Sequence, residues 1–413
     1  MDAVSATGSD DAAGPERPPH GLAATWEVFV VFLGLGLTSF GGPVAHLGYF
    51  RESLVARRRW LTDVAYGQLV SLCHFLPGPA SSQLGMAIGL RRAGLAGLVA
   101  AWVGFTMPSA LIMVAFGFGL QFATGTGTAP WVSGLMAAAV AVVAQAVLAM
   151  APLASGRRRA SLAVAAMVAV LVVPSPITQV LVIAAAAAAG LLWLEPSGPA
   201  SGEDAPTARV GRGTGIACLL AFGGLLLGLP LLAAATGDSG WRLVAGFYQS
   251  GALVFGGGHV VLPLIEAQTV QSGLVGADTF LAGYGAAQAL PGPLFTFSAF
   301  LGYVAANPPN GLAGAALALV AIFLPSALLI IGVHPFWVRL QNSPAASRAL
   351  QGVNAAVVGI LAAALYAPVF TAGVTGPRSL ALAVVCFLAL RIWHAPPWAV
   401  VLGAGAVGAA LLT

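Results

Sequence analysis

The chain has 413 residues, of which 59% are hydrophobic and only 7% are charged, and its mean hydropathy is +0.92. Soluble globular domains carry roughly 25% charged residues, so this composition excludes a soluble protein. The apolar residues form long continuous runs and do not alternate with polar ones, which excludes an outer-membrane barrel. The sequence therefore predicts an all-α polytopic membrane protein that is embedded in the lipid bilayer.

The basic residues indicate orientation in a membrane and not contact with nucleic acid. The formal net charge is +4, and all 17 basic residues are arginines. They lie between the apolar runs, where the cytoplasmic bias of basic residues makes them markers of topology. We therefore expect no nucleic-acid partner. The three cysteines stand alone in apolar segments, which argues against disulfides.

In chain order, the polar residues 1–24 predict a disordered tail with no cleaved signal peptide. Residues 25–194 then hold six apolar segments, at about 25–47, 62–90, 94–122, 131–154, 160–174 and 176–194. Residues 195–240 combine a linker rich in Pro, Gly and Ser with one extra transmembrane helix at about 215–236. Residues 241–413 hold six further segments, at about 241–265, 277–304, 311–333, 346–370, 379–393 and 396–412.

The second set of six segments repeats motifs of the first set in the same order and at a nearly constant offset. The matching pairs are Phe-Gly-Gly at 40–42 and 255–257, Leu-Pro-Gly-Pro at 76–79 and 290–293, and Pro-Ser-Ala-Leu at 108–111 and 325–328. Several co-linear matches of this kind indicate an internal duplication. We interpret residues 25–194 and 241–413 as two homologous repeats.

The arginine positions favour an inverted second repeat. The Arg57–Arg59, Arg91–Arg92 and Arg157–Arg159 groups can all be cytoplasmic, which leaves only Arg242 and Arg378 outside. This assignment holds if the segments that contain the Phe-Gly-Gly and Pro-Gly-Pro motifs are re-entrant hairpins, and full crossings remain an alternative. Both alternatives predict a cytoplasmic N-terminus and a periplasmic C-terminus.

The two Pro-Gly-Pro motifs interrupt long apolar segments. Two prolines within three residues remove backbone donors and clash with the preceding turn, so no helix can continue through them. Paired interruptions at equivalent places in two repeats are typical of transporter substrate sites near the bilayer midplane. Two structural kinks are the alternative interpretation.

Polar residues follow both Pro-Gly-Pro motifs at the point where the helices resume. They are Ser81, Ser82 and Gln83 in the first repeat, and Thr296 and Ser298 in the second. Free N–H groups at a helix N-terminus, together with neutral hydroxyl donors, favour an anion without a buried cation. Ordinary helix capping is the alternative.

The Phe-Gly-Gly motifs form a second pair of candidate sites because glycine permits close backbone approach. His46 and His259 follow them, and Gln288 precedes the second Pro-Gly-Pro motif, whereas His74 and Glu266 are weaker candidates. The predicted substrate-binding residues are Gly41, Gly42, His46, Pro77, Gly78, Pro79, Ser81, Ser82, Gln83, Gly256, Gly257, His259, Gln288, Pro291, Gly292, Pro293 and Thr296.

The motifs of most enzymes and of ATP-driven pumps are absent from the sequence. It has no phosphate-binding loop, no metal-ligand spacing and no dinucleotide fingerprint. We therefore expect no cofactor, no metal and no enzymatic activity. A secondary anion transporter fits these features, while an anion channel with broken helices remains an alternative.

The motifs together resemble those of the long-chain, two-domain chromate ion transporters. The resemblance rests on FGGP-x-x-H at 40–46, WLTD at 60–63, LPGPASSQLG at 76–85, FGGGHVVLP at 255–263, ALPGPLFTFSAFLG at 289–302 and GVNAAVVGILAAALY at 352–366. It implies a transporter of the bacterial inner membrane that exports chromate, confers chromate resistance and accepts sulfate as a competing analogue. A carrier of sulfate or another oxyanion is the alternative, and a homodimer stays open as the assembly state.

Overall fold

The computed structural model describes residues 21–123, 130–196, 210–255 and 261–411, and all regular elements in these ranges are helices. The first half contains α1 (Leu22–Thr38), α2 (Gly42–Phe50), α3 (Asp63–Phe75), α4 (Ala80–Ala123), α5 (Pro130–Met150), α6 (Arg157–Val172) and α7 (Pro176–Trp193). The helix α8 (Arg212–Thr236) follows. The second half contains α9 (Ser239–Ala252), α10 (Val261–Thr269), α11 (Ala277–Gln288), α12 (Phe297–Tyr303), α13 (Gly311–Val333), α14 (Trp337–Gln341), α15 (Pro344–Ala364), α16 (Thr371–Gly373), α17 (Pro377–Arg391) and α18 (Pro397–Leu411).

Six stretches of helix among the described residues are long and apolar enough to cross a membrane. They are Ala80–Leu120, Pro130–Ala154, Pro176–Trp193, Arg212–Thr236, Gly311–Phe336 and Pro344–Gly373. Because a crossing requires about 20 apolar residues, these stretches confirm the predicted helical multi-pass membrane protein.

Short helices surround the glycine and proline motifs, where the backbone cannot stay helical. α1 ends at Thr38, Gly41 takes a left-handed conformation with φ of 97°, and α2 begins directly after it. α3 ends at Phe75, and α4 begins at Ala80 beyond the first Pro-Gly-Pro turn. Such irregular backbone within an apolar bundle needs polar partners from the surrounding protein or from a ligand.

α4 consists of two helices that meet at a sharp break. Ala93 and Gly94 leave the helical conformation, with φ values of −139° and 65°. The two arms fold closely together, because a Cβ on Gly89 would overlap the carbonyl oxygen of Gly97. The predicted boundary between segments 62–90 and 94–122 lies at this break.

The two halves pack crosswise. α5 of the first half packs against α17 and α18 of the second half, and α15 packs against α6 and α7 of the first half. Glycines bring these helices close, since a Cβ on Gly134 would overlap the carbonyl oxygen of Ala404, and one on Gly359 would overlap that of Ala163. The central helix of each half is therefore covered by helices of the other half.

Parts of the predicted tail and linker lie outside the described residues. Of the predicted disordered tail 1–24, only residues 21–24 are described, and they already include the start of α1. The predicted extra helix at about 215–236 is present as α8, which packs against α9 and α13. Only 11% of an 18-residue apolar stretch of α8 is buried inside the protein, so this helix lies at the edge of the bundle.

Candidate functional site

Each Pro-Gly-Pro turn is hydrogen-bonded to the residue that precedes the Phe-Gly-Gly motif of the opposite half. The backbone amide of Gly78 donates a hydrogen bond of 2.7 Å to the carbonyl oxygen of Val254, and that of Gly292 donates one of 2.9 Å to the carbonyl oxygen of Ser39. Val254 and Ser39 each directly precede a Phe-Gly-Gly motif. The structure thus joins a break of one half to a break of the other at two places.

The glycine of each turn also permits close approach of a serine from the opposite half. Gly78 and Gly292 have backbone φ values of 127° and 86°, which residues other than glycine rarely adopt. A Cβ on Gly78 would collide with the hydroxyl of Ser326, and a Cβ on Gly292 would lie 2.8 Å from the hydroxyl of Ser109. These serines are the equivalent residues of the two Pro-Ser-Ala-Leu motifs.

These contacts define two related sites. The first junction consists of Ser39, Gly41, Gly42, Ser109 and Gly292. The second junction consists of Gly78, Gln83, Val254 and Ser326. The predicted residues Gly256, Gly257 and His259 lie outside the described residues.

A cavity of about 440 Å³ opens at the first junction. Its polar lining consists of Gly41, Gly42, Gly292 and Gln288, together with Gln145 on α5, and the remaining lining is mainly apolar. Its volume lies within the roughly 300–1,000 Å³ of small-ligand pockets. The cavity could therefore hold a small ion with part of its hydration shell.

Gln145 was not predicted from the sequence. It is an isolated amide on a helix made mostly of alanine and valine, and it faces the cavity beside Gln288. A lone polar residue within an apolar span is itself a signal of function. That signal was present in the sequence, although no motif surrounds Gln145.

Several buried polar atoms around the two junctions have no hydrogen-bond partner among the described residues. They are Ser39 Oγ, His46 Nδ1, Ser82 Oγ, Gln83 Oε1, Thr106 Oγ1 and Gln288 Nε2. Leaving such a group unsatisfied costs about 1–3 kcal/mol. This set of donors and acceptors favours a polar ligand or ordered water at the junctions over a pair of purely structural kinks.

Gln83 links the first Pro-Gly-Pro turn to the opposite half. The side-chain amide nitrogen of Gln83 donates to the carbonyl oxygen of Pro77 at 2.6 Å and lies 3.5 Å from the hydroxyl of Ser326. The side chain is completely buried. Gln83 therefore holds the turn in place, while its free oxygen remains available as an acceptor.

His46 is buried below the first junction and does not line its cavity. Its Nε2 lies 3.1 Å from the carbonyl oxygen of Ser39, and its ring packs edge-on against Phe105 at 5.3 Å between centroids. A histidine in this place supports the backbone of the glycine break. His46 therefore contacts the glycine break itself, and its contact with an anion stays a prediction.

The helix N-terminus predicted after the first Pro-Gly-Pro motif is present. α4 begins at Ala80, and Ser81, Ser82 and Gln83 form its first turn, all of them buried. The orphan amides of a helix start and the hydroxyl of Ser82 are suited to an anionic oxygen.

The second half differs at the equivalent place. A turn of 3₁₀ helix at Leu294–Thr296 follows Pro293, and the helix α12 resumes only at Phe297. The hydroxyl of Thr296 donates to the carbonyl oxygen of Pro293 at 2.9 Å, and that of Ser298 donates to Phe295 at 2.8 Å. These hydroxyls are thus engaged within their own turn, so the two predicted helix N-termini are not equivalent.

The weaker candidates His74 and Glu266 do not line the cavity of the first junction. His74 is exposed. Glu266 is buried on α10 and accepts a hydrogen bond of 3.0 Å from Gln271. Within the described ranges, no three His, Cys, Asp or Glu side chains come together as a group that could hold a metal ion.

The sequence of the chain matches the chromate transporter family twice, at residues 26–191 and 241–409. It is 29% identical over 342 residues to a probable chromate transport protein of Synechococcus elongatus, covering 81% of this chain and 82% of that protein. It is 28% identical over 389 residues to a chromate transport protein of Cupriavidus metallidurans, covering 92% of each. A chromate transport protein of Pseudomonas aeruginosa is 29% identical over 351 residues, covering 82% of this chain and 79% of that protein.

No solved structure matches the fold of this chain. The family match takes in most of both halves, including every motif that forms the two junctions. The chain therefore belongs to the chromate transporter family.

Proposed function

We propose that this chain exports chromate across the bacterial inner membrane and thereby confers resistance to chromate. Family membership supports the substrate, and three relatives that match most of the chain are named as chromate or probable chromate transport proteins. The crosswise junctions support a carrier, because each binding element would be shared between two halves that can move relative to each other.

The chemistry of the junctions suits a tetrahedral oxyanion. Backbone amides, serine hydroxyls and glutamine amides offer neutral donors, and the helix start at Ala80 adds a positive dipole end. Neutral donors bind a divalent anion without the desolvation cost of a buried cation. We propose that chromate binds at both junctions during transport. At the first junction it occupies the cavity lined by Gly41, Gly42, Gln145, Gln288 and Gly292, and at the second junction it contacts Ser82 at the start of α4.

The membrane potential can drive the proposed export. Moving one charge through 100 mV is worth roughly 2.3 kcal/mol, so a dianion that leaves an interior-negative cell gains about 4.6 kcal/mol. That free energy sustains a concentration gradient of about 2,000-fold. Export would therefore need no ATP and no coupling ion.

We further propose an inverted relation between the halves, with the N-terminus cytoplasmic and the C-terminus periplasmic. Equivalent helices make equivalent contacts, since α5 packs against α17 and α18 just as α15 packs against α6 and α7. A pseudo-two-fold axis of any orientation would generate this pattern, and an axis in the membrane plane would also place most arginines on the cytoplasmic side.

Transport of radiolabelled chromate into everted membrane vesicles tests the proposed function. We expect chromate uptake when the vesicle interior is positive, and loss of uptake when valinomycin and potassium collapse the potential while the pH gradient is held. Vesicles without the protein serve as the control. Chromate flux that ignores the potential would exclude electrogenic export, sulfate flux without chromate flux would indicate a sulfate carrier, and single-channel currents would indicate a channel.

A further inference from the structure

A second polar cavity, separate from the two junctions, lies beside the turn that joins α8 to α9. Its volume is about 320 Å³, and α8, α9 and α10 form its walls. Its polar side chains are Ser239, Arg242, Gln249, Gln268, Ser272 and Asn307, and the cavity opens to the surface, where Arg242, Ser272 and Asn307 are exposed. This volume accommodates several water molecules, so a small ion can enter with part of its hydration shell.

The side chains of this cavity present hydrogen-bond donors. Arg242 donates from Nη2 to the carbonyl oxygen of Gly237 at 3.1 Å, and a guanidinium carries five N–H groups. Gln268 donates to the side-chain oxygen of Gln249 at 3.0 Å. Because the side-chain oxygen of Gln249 accepts this bond, the side-chain nitrogen of Gln249 keeps its N–H donors for another partner. Arginine forks match the oxygen atoms of tetrahedral anions well.

At the equivalent place in the first half, the carboxylate of Glu27 forms an ion pair with an arginine of the same half. Trp26-Glu27 on α1 aligns without gaps with Trp241-Arg242 on α9, counted back from the two Phe-Gly-Gly motifs. Arg92 forms two-pronged hydrogen bonds to Glu27, with distances of 2.9 to 3.1 Å. The guanidinium of Arg92 also lies 4.2 Å from the ring centroid of Trp60.

The second half reverses this charge and leaves the space open. Arg242 stands where the first half has Glu27, and no carboxylate within the described ranges forms a salt bridge with it. The nearest acidic residue in sequence, Asp238, accepts a hydrogen bond from the amide of Trp241 and so caps α9. An arginine that faces a polar cavity without a carboxylate is suited to an external anion.

We propose that this cavity is a second anion-binding site, which holds a divalent tetrahedral oxyanion through Arg242, Gln249 and Asn307. The bound ion pairs with Arg242 in the way that Arg92 pairs with Glu27 in the first half, with the two charges reversed. The inference rests on the proposed oxyanion transport. It adds a docking site at the N-terminal end of α9, where the ion is held before or after it passes the junctions.

Sulfate protection of introduced cysteines tests this site without measuring transport. Sulfate is the appropriate probe because chromate oxidises thiols. In a Cys218→Ser background, Ala234→Cys and Ser272→Cys place reporters in the cavity without removing a proposed ligand, and Thr375→Cys provides an exposed reporter at a distance. The native Cys73 and Cys386 are buried. A membrane-impermeant methanethiosulfonate reagent then measures labelling rates in the full-length protein.

We expect sulfate to slow labelling at both cavity positions several-fold and to leave position 375 unaffected. Adding Arg242→Gln should raise the half-protecting sulfate concentration about tenfold or more, whereas Arg378→Gln should not change it. Equal labelling with and without sulfate at both cavity positions would overturn the proposal. Chromate uptake is measured on the same reporter protein with Arg242 intact. Normal uptake without sulfate protection would exclude the second anion site and would leave the proposed export of chromate unaffected.

Discussion

The carbonyl oxygen of Ser39 accepts hydrogen bonds from two directions, from the amide of Gly292 at 2.9 Å and from Nε2 of His46 at 3.1 Å. The second Pro-Gly-Pro turn and the buried histidine are thus tied to the same backbone group of the first half. Any movement of one half against the other must break or shift the hydrogen bond between Gly292 and Ser39. The geometry of the first junction therefore changes whenever the two halves move during a transport cycle.

Substitution of Gly292 should abolish chromate transport while the protein remains in the membrane. Gly292→Ala places a Cβ 2.8 Å from the hydroxyl of Ser109 at a φ of 86°, and Leu at this position or at Gly78 is larger still. Backbone strain of this kind costs roughly 1–3 kcal/mol, which is enough to displace the turn. Uptake into everted vesicles and the amount of folded protein are the two measurements.

The matched control for this prediction is Gly228→Ala on α8. A Cβ on Gly228 meets nothing within 4 Å, so transport should stay normal. Normal transport by both Gly292→Ala and Gly78→Leu would show that the close approach at the turns is not required.

Removal of the Ser82 hydroxyl should weaken chromate binding. The hydroxyl is buried at the start of α4 and has no partner among the described residues, so it is available to a ligand. Loss of a neutral hydrogen bond of about 0.5–1.5 kcal/mol should raise the half-saturating chromate concentration of Ser82→Ala roughly 2- to 10-fold. Initial rates of uptake at varied chromate concentration measure this change.

Ser298→Ala is the control for Ser82→Ala. Its hydroxyl is equally buried, but it already donates to the carbonyl oxygen of Phe295. We expect Ser298→Ala, and Thr296→Ala for the same reason, to change the half-saturating concentration less. If Ser298→Ala and Ser82→Ala are equally impaired, the effect comes from packing and not from contact with the ion.

Gln145 should contribute to selectivity for anions. Gln145→Leu removes the amide that faces the cavity, and Gln145→Glu replaces it with a negative charge of similar shape. Because a carboxylate repels a dianion, the Glu variant should lose more uptake than the Leu variant. Initial rates of chromate uptake by both variants and by the unaltered protein measure the effect. Equal uptake by the two variants and the unaltered protein would place the ion elsewhere.

Cysteines introduced at Arg157 and Arg378 should be labelled from opposite sides of the membrane. The two positions begin α6 and α17, which occupy equivalent places in the two halves. An inverted relation puts these helix starts on opposite faces. Labelling of right-side-out and everted vesicles, in a Cys218→Ser background, measures sidedness. If both positions react from the same side, the halves are parallel.

The sequence was sufficient to predict where the helices break, because the causes are local. Pro77 and Pro79 prevent any helix from continuing, and α3 ends two residues before them. The partners of these breaks could not be predicted, since the bond between Gly78 and Val254 spans more than 170 residues of sequence and depends on how whole helices pack. For the same reason, the sequence did not predict that the chain resumes differently after the two Pro-Gly-Pro motifs. Ser82 lies in the first turn of an α-helix, whereas Thr296 lies in a 3₁₀ turn.

The crosswise packing has a consequence for biosynthesis. α5 emerges from the ribosome more than 220 residues before α17 and α18, the helices that cover it. The central helix of the first half therefore stays in the lipid or beside the insertion machinery until α17 and α18 have been synthesised. A chain interrupted before α18 would leave Gly134 without its neighbour Ala404 and exposed to lipid.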